Sequence, residues 1–299
     1  MKKLIITSGT GFLGKVLIDH FKNRYDEIII LSRGSSHRVK NVKYLQWDAK
    51  TIGNWAGEFS NVTHVINLTG KSVDCRYNEE NKKEILASRL NAIDVIAKAI
   101  RMHDHKPKVW INAASATIYD ASFDKPQTEA TGVIGDDFSM NVCKEWEKRF
   151  FSNNDSADKM VAMRISMVFG SQGGVLPVLK KLTRLGLGGK QGSGKQMVSW
   201  IHASDYAWMT EWLLNKPDAD PIYNCCAPNP VTNEEMMRLL REECHKSFGL
   251  SQSEWMIKLG AFFLRTEPEL VMKSRFVIPE RALQQGFKFE REFMKDALS

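Results

Sequence analysis

The chain has 299 residues, of which 43% are hydrophobic and 26% charged, with a formal net charge of +7, a composition that buries a substantial core and excludes disorder. No run of about 18 apolar residues occurs, which excludes a helical membrane span. Five cysteines, Cys75, Cys143, Cys225, Cys226 and Cys244, form no CxxC pair, which argues against a disulfide framework or a metal site.

In chain order, the apolar run of MKKLIIT breaks after Ile6 into glycines. It therefore reads as a first strand, Lys3 to Thr7, of a cytoplasmic protein and not as a signal peptide. TSGTGFLG follows at residues 7–14, and Leu13, Val16, Leu17 and Phe21 then recur at helical spacing with Lys15, Asp19 and Lys22 opposite them. Strand, tight loop and helix are the context in which GxGxxG marks a dinucleotide site. Gly9 permits the turn, Gly11 lets the backbone approach a pyrophosphate, and Gly14 lets the helix pack on the sheet. Thr10, Phe12 and Leu13 complete the loop, and the N–H groups of the helix start face the phosphates.

Glu27 to Leu31, EIIIL, suits a strand buried on both faces. An NAD site places a carboxylate at the end of this strand, on the ribose 2′-hydroxyl. Here Ser32 and Arg33 stand there, with Arg38 nearby. A guanidinium pairs bidentately with a 2′-phosphate, so the expected cofactor is NADP; the alternative is that Arg33 is a solvated surface charge. After a third strand, Val42 to Leu45, Asp48 either accepts a hydrogen bond from the adenine amino group or begins a turn.

Val62 to Asn67, Val109 to Ala113 and Met160 to Ile165 are further strands, with long helices at about 80–102 and 137–152 between the last three. The alternation predicts an α/β fold, a Rossmann doubly wound parallel sheet with helices on both faces. Past Gly170 the texture changes to the glycine-rich loop GLGGKQGSGK at 186–195 and then WIHASDYAWMTEWLL. The expected division is a Rossmann domain over 1–170 and a smaller C-terminal substrate lobe over 171–299, some of whose segments return to the first domain, with the 186–195 loop beside the cleft.

TSGTGFLG, VINLTGKSV, SATIYD, GLGGKQGSGKQMVSWIHASD and VIPERALQQGFKF together resemble the extended short-chain dehydrogenase/reductase superfamily, over nearly the full length. Within it the chain is similar to the sugar-nucleotide epimerase-like branch with a short C-terminal domain, some of whose members are labelled cell-division inhibitors. The resemblance implies an NADP-type Rossmann domain in which Leu68, Thr69 and Gly70 line the nicotinamide side and Ser115 matches the catalytic serine. One departure is Ser8, where the superfamily's fingerprint usually begins with glycine.

A second departure concerns chemistry. Superfamily enzymes use a tyrosine and a lysine four residues later, on the helix after SATIYD; the lysine lowers the tyrosine pKa toward the working range of an acid/base group. Here that helix reads DDFSMNVCKEWEK, without a tyrosine. Tyr119 is the phenol nearest to Ser115 in sequence, and His202 titrates in the useful range. Both have plainer readings, as a packed ring and a helix cap, and Ser115 as a turn former.

Two functions follow. One is an NADP(H)-dependent oxidoreductase or epimerase acting on a small polar or nucleotide-linked substrate, as a monomer or homodimer. The other is a non-catalytic NADP-binding regulator that acts through a protein partner. The positive charge suits a phosphorylated ligand; the basic residues are spread along the chain without a nucleic-acid-binding motif, so neither nucleic acid nor membrane is an expected partner.

Overall fold

Apolar runs with no polar alternation become strands covered on both sides. In the computed structural model, which describes residues 1–264 and 267–298, the strands are β1 (Lys3–Thr7), β2 (Glu27–Ser32), β3 (His37–Val39), β4 (Val42–Gln46), β5 (His64–Asn67), β6 (Val109–Ser115), β7 (Lys159–Ile165), β8 (Met167–Gly170), β9 (Gly173–Gly174), β10 (Met197–Val198), β11 (Trp200–His202), β12 (Ile222–Cys225) and β13 (Val231–Thr232). The helices are α1 (Phe12–Phe21), α2 (Glu79–Ile100), α3 (Phe138–Phe151), α4 (Leu176–Leu182), α5 (Ala203–Asn215), α6 (Asn233–Glu243), α7 (Glu254–Leu264), α8 (Glu269–Met272), α9 (Glu280–Gln284) and α10 (Met294–Leu298). Arg265, Thr266 and Ser299, which fall in the expected C-terminal lobe, lie outside the described residues.

The main sheet has the order β12-β7-β6-β5-β1-β2-β4-β3. Every neighbouring pair is parallel except β3 with β4. This is the doubly wound α/β Rossmann arrangement: the chain moves outward from β1 through β2 to β4, then crosses back and continues on the other side through β5, β6 and β7. Alternate residues of β1 and β2 serve opposite cores. Leu4, Ile6, Ile28 and Ile30 pack with Leu17 and Phe21 of α1 and Tyr206 and Leu213 of α5. Ile5, Ile29 and Leu31 pack with Ile93 and Ile96 of α2 and Phe150 of α3. A further cluster joins Phe169 and Trp200 to α4, α6 and α10.

Two strands of the main sheet escape a reading by pattern. His37–Val39 is three residues long and exposed throughout, so it shows no buried face, yet it covers the sheet edge. Ile222–Cys225 lies far along the chain but pairs with β7, Ile222 opposite Ala162.

The late WIHASD and PERALQQGFKF stretches are joined across the fold. Ser199 Oγ donates to the carbonyls of Arg275 (2.7 Å) and Val277 (2.9 Å), while Val277 N–H donates back to Ser199 Oγ (2.7 Å). The Asp205 carboxylate accepts from the N–H groups of Glu290 (2.8 Å) and Arg291 (3.0 Å). Phe287 and Phe289 enter the core beside α1 and α5.

Glycine at position 14 is a packing requirement, because a Cβ there would run into the backbone of Gly9. Gly14→Ala is expected to push α1 off the loop and destabilise the fold by about 1–3 kcal/mol, read as a lowered midpoint in urea denaturation.

Candidate functional site

The carboxyl ends of β1 and β5 form the topological switch point, because the chain leaves these two adjacent strands in opposite directions across the sheet. A buried polar network fixes them. Thr7 Oγ1 donates to Asn67 Oδ1 (2.6 Å) and accepts from Thr69 Oγ1 (2.7 Å) and from the Leu68 N–H (3.2 Å). The Thr69 N–H also donates to Asn67 Oδ1 (3.1 Å), and Asn67 Nδ2 donates to Asn112 Oδ1 (2.7 Å) on β6. Leu68, Thr69 and Gly70 thereby stand directly across from the glycine loop, with the Thr69 hydroxyl committed to the network.

Ser8 has φ +53°, in the left-handed region that favours glycine. That conformation explains why the family pattern begins with glycine here. Ser8 is held there by its N–H, which donates to the Leu31 carbonyl (2.7 Å), and by its hydroxyl, 3.0 Å from Thr69 Oγ1.

The three motif glycines differ in what demands them. A Cβ on Gly9 would lie 3.0 Å from Ile30 Cγ2 and one on Gly14 would strike Gly9, whereas a Cβ on Gly11 would meet only Ser8 O at 3.9 Å. The protein's own packing therefore does not require glycine at 11. Gly11 is also the N-cap of α1, and no side chain caps that helix. Asn78, Asp137 and Thr232 cap α2, α3 and α6 with their side chains. No side chain takes up the first N–H groups of α1, a state shared with the short helices α4, α8 and α9. Phe12, the first residue of α1, wedges its ring against Gly170, Gly173 and Gly174 of β8 and β9.

Ser32 is buried and Arg33 exposed at the end of β2; Arg33 forms no ion pair with any described residue. Arg38, by contrast, is paired with Glu27 (3.1 Å). The Asp48 carboxylate closes its own turn, accepting from the N–H groups of Lys50 (2.8 Å) and Thr51 (2.9 Å) and from Thr51 Oγ1 (2.7 Å). These bonds, led by that from the Thr51 N–H, hold its pKa at about 2, and the turn reading accounts for all of them. A cavity of about 560 Å³ lies beside it, lined by Lys43, Trp47, Trp55 and Glu58, but at β4, two strands away from β1. The 186–195 loop binds elsewhere: it is laddered to 249–252 through Gly192 N–H to Gln252 O (2.8 Å), and Gln191 N–H donates to Asn233 Oδ1 (2.8 Å) at the start of α6.

Ser115 closes β6 half-buried, its Oγ accepting from the Thr117 N–H at 3.2 Å. Tyr119 is buried and its hydroxyl is engaged. It donates to Asn224 Oδ1 (2.9 Å) and accepts from Arg164 Nη1 (2.7 Å), whose guanidinium is bidentate to Glu147 of α3 at 2.8 Å for each bond. Burial raises the phenol's pKa despite the facing Arg164, so this ring ties α3 to β7 and β12 and has no free hydroxyl for proton transfer. His202 is the N-cap of α5, its Nδ1 accepting from the Ser204 N–H at 3.1 Å.

On α3, Ser139 and Cys143 are four residues apart and both buried, the spacing that puts two side chains on one helix face. No buried residue of α3 is a tyrosine or a lysine. Around Ser139 and Cys143 stand residues that motif reading missed. Tyr77 brings its hydroxyl to 3.4 Å from Ser139 Oγ, which donates to Glu269 Oε1 (2.7 Å). Arg89 sits so close to Gly70 that a Cβ there would be 3.0 Å from its guanidinium carbon. Burial pushes the Cys143 thiol up to about 12, which leaves it unreactive. No motif spacing links these residues, which come from the loop before α2 (Tyr77), from α2 (Arg89), from α3 and from α8 (Glu269).

With that geometry in place, the comparisons with known proteins are consistent. The model of the NAD dependent epimerase/dehydratase family matches residues 4–226, and the chain belongs to that family. Epimerase family protein YfhF of Bacillus subtilis is 30% identical, over 99% of this chain and 96% of its own length. The crystal structure of human epimerase family protein SDR39U1 with NADPH superimposes with a TM-score of 0.87 at 28% identity, covering 99% of this chain and 97% of that one. The nucleoside-diphosphate sugar epimerase from Corynebacterium glutamicum shares the fold, with a TM-score of 0.79 at 23% identity over 99% of this chain and 57% of that one. Among the described residues no helix is long and apolar enough to cross a membrane, and no group of three or more potential ligands could hold a metal ion.

The capping histidine gives a pH signature. Burial, reinforced by Arg291 and opposed by Glu290, lowers the His202 pKa from 6.5 to about 4. The unfolded imidazole therefore takes up its proton first: the contribution to stability is complete above about pH 6.5, declines below it, and is lost as pH falls through 4. His202→Asn, which retains a capping acceptor, is expected to flatten that decline in urea midpoints measured across this range; an unchanged slope would exclude the imidazole as its source.

Proposed function

We propose that this family member is an NADP(H)-dependent oxidoreductase or epimerase acting on a small polar or nucleotide-linked substrate, with residues 1–170 binding the cofactor and 171–299 forming most of the substrate lobe. The observation that carries the reading is the Gly11 backbone, open in front of a helix start that no side chain caps. Gly9, Thr10, Gly11, Phe12, Leu13 and Gly14 present the pyrophosphate site. Ser32 and Arg33 take the 2′-phosphate, for which an exposed guanidinium without an ion-pair partner is suited. The solved structure of SDR39U1 with NADPH supports the same preference. Leu68, Thr69 and Gly70, fixed by the Thr7–Asn67 network, face the nicotinamide, which when bound supplies hydride transfer. Ser115 orients the substrate oxygen at the end of β6.

A second reading, a non-catalytic NADP-binding regulator acting through a protein partner, draws on Ser139 and Cys143 at the inward positions of α3. It requires the partner to bind the empty and filled states with different affinity, so NADPH would change the yield of a pull-down.

NADPH and NADH titrations followed by tryptophan quenching test the cofactor reading. Arg33→Ala should weaken NADPH by about tenfold or more and leave NADH nearly unchanged; equal losses for both would remove Arg33 from the 2′-phosphate. Gly11→Ala should abolish binding of both while its unfolding free energy from urea denaturation stays within about 0.5 kcal/mol of the parent, and retention of tight binding would overturn the pyrophosphate assignment.

A further inference from the structure

A charge taken out of water without a partner is costly, and Arg164 shows the usual remedy, a bidentate bond to Glu147. Two other half-buried arginines lack it. Arg89 lies over the Trp146 indole at 4.8 Å, and its Nη1 donates to the carbonyls of Lys71 (3.1 Å) and Ile85 (2.7 Å). Arg275 spends its Nη1 on the Ser274 carbonyl at 3.3 Å. Neither forms an ion pair with a described carboxylate, and Nε and Nη2 of both have no acceptor among the described residues. These nitrogens are not sealed off, since the buried side-chain nitrogen and oxygen atoms without partners are those of Trp110, Trp146 and Thr183.

Both arginines border the same stretch of α3. Arg89 lies over Trp146, one turn from Cys143, and Arg275 is two residues from Val277, which packs with Cys143. Cys143 packs with Ala116, next to Ser115, and Arg89 abuts Gly70. The pair therefore flanks the nicotinamide and serine end of the cleft, away from the glycine loop. Glu269 and Asp120 face Arg275 at longer range, but Glu269 is already taken by Ser139 (2.7 Å) and Lys273 (3.3 Å). Arg275 is held in position by its N–H on the Met197 carbonyl (2.8 Å) and its own carbonyl on Ser199. Burial holds both arginines below their usual pKa, the opposite of the paired Arg164.

We propose that Arg89 and Arg275 grip an oxyanion of the substrate, a carboxylate or phosphoryl group carried beside the reacting carbon. The substrates of this protein are then anionic at the end that enters the nicotinamide side, whatever is attached at the other end. Planar guanidiniums with free N–H groups match carboxylate and phosphoryl oxygens, whereas a neutral sugar hydroxyl would leave two half-buried charges without a counter-charge. This inference rests on the cofactor reading above for the position of the reacting carbon.

The test uses the full chain saturated with NADPH, so that the phosphate sites of the glycine loop and Arg33 are filled, and titrates malonate and inorganic phosphate separately while following Tm. A saturable rise with at least one anion is expected, malonate alone identifying a carboxylate and phosphate alone a phosphoryl group. Arg275→Gln and Arg89→Lys should each weaken the response by about tenfold or more, with NADPH affinity unchanged in Arg275→Gln; Arg275→Lys serves if the glutamine variant does not fold. No saturable rise with either anion, or a response that survives in both positions' variants, overturns the proposal. Failure of the cofactor reading shows separately, as neither tryptophan quenching nor tryptophan-sensitised nicotinamide emission on adding NADPH, and the same titration on the free protein then decides the arginines.

Discussion

The hydrogen bonds among Thr7, Asn67, Thr69 and Asn112 hold the carboxyl ends of three adjacent parallel strands in one arrangement. A buried polar network of this kind is stabilising only when its members are satisfied, and then it fixes a unique geometry. Here it sets the distance between the glycine loop and Leu68–Gly70, and through Ser8 it also holds the loop's one left-handed non-glycine residue. Every assignment at the switch point depends on that separation.

A second constraint acts on α3. Arg164 and Tyr119 tie Glu147 to β7 and Asn224, which fixes the helix rotation and turns Ser139 and Cys143 inward. The late chain is brought to the same place by Ser199, whose hydroxyl is bonded to the backbone of residues 275–277. Arg275 and Glu269 consequently stand opposite Arg89 and Tyr77, although more than 180 residues separate Arg89 from Arg275 in sequence. The electrostatic contrast between a paired arginine and two unpaired ones follows from this packing: of the three, Arg164 alone has a carboxylate within bonding distance among the described residues.

The strand, loop and helix of residues 3–21 and the continuous apolar runs of the parallel strands were legible because their determinants are local. Period, glycine spacing and β-branched enrichment act within a few residues. The single-residue assignments were less so. Asp48 turned out to serve its own turn and His202 its own helix, both local uses that sequence permits but does not select. Tyr119 looked available beside Ser115 because its partners, Arg164 and Asn224, are 45 and 105 residues away.

The sequence by itself determined the fold class, the strand–glycine loop–helix of residues 3–21 and the absence of a tyrosine from α3, since each is written in residue type and short-range spacing. Tertiary structure alone decided the pairing of β12 with β7, the burial of Tyr119, the open front of Gly11 and, among the described residues, which arginines have a carboxylate partner. The physical reason is that burial and charge pairing are properties of long-range contacts, which local pattern constrains only through which residues are available to make them.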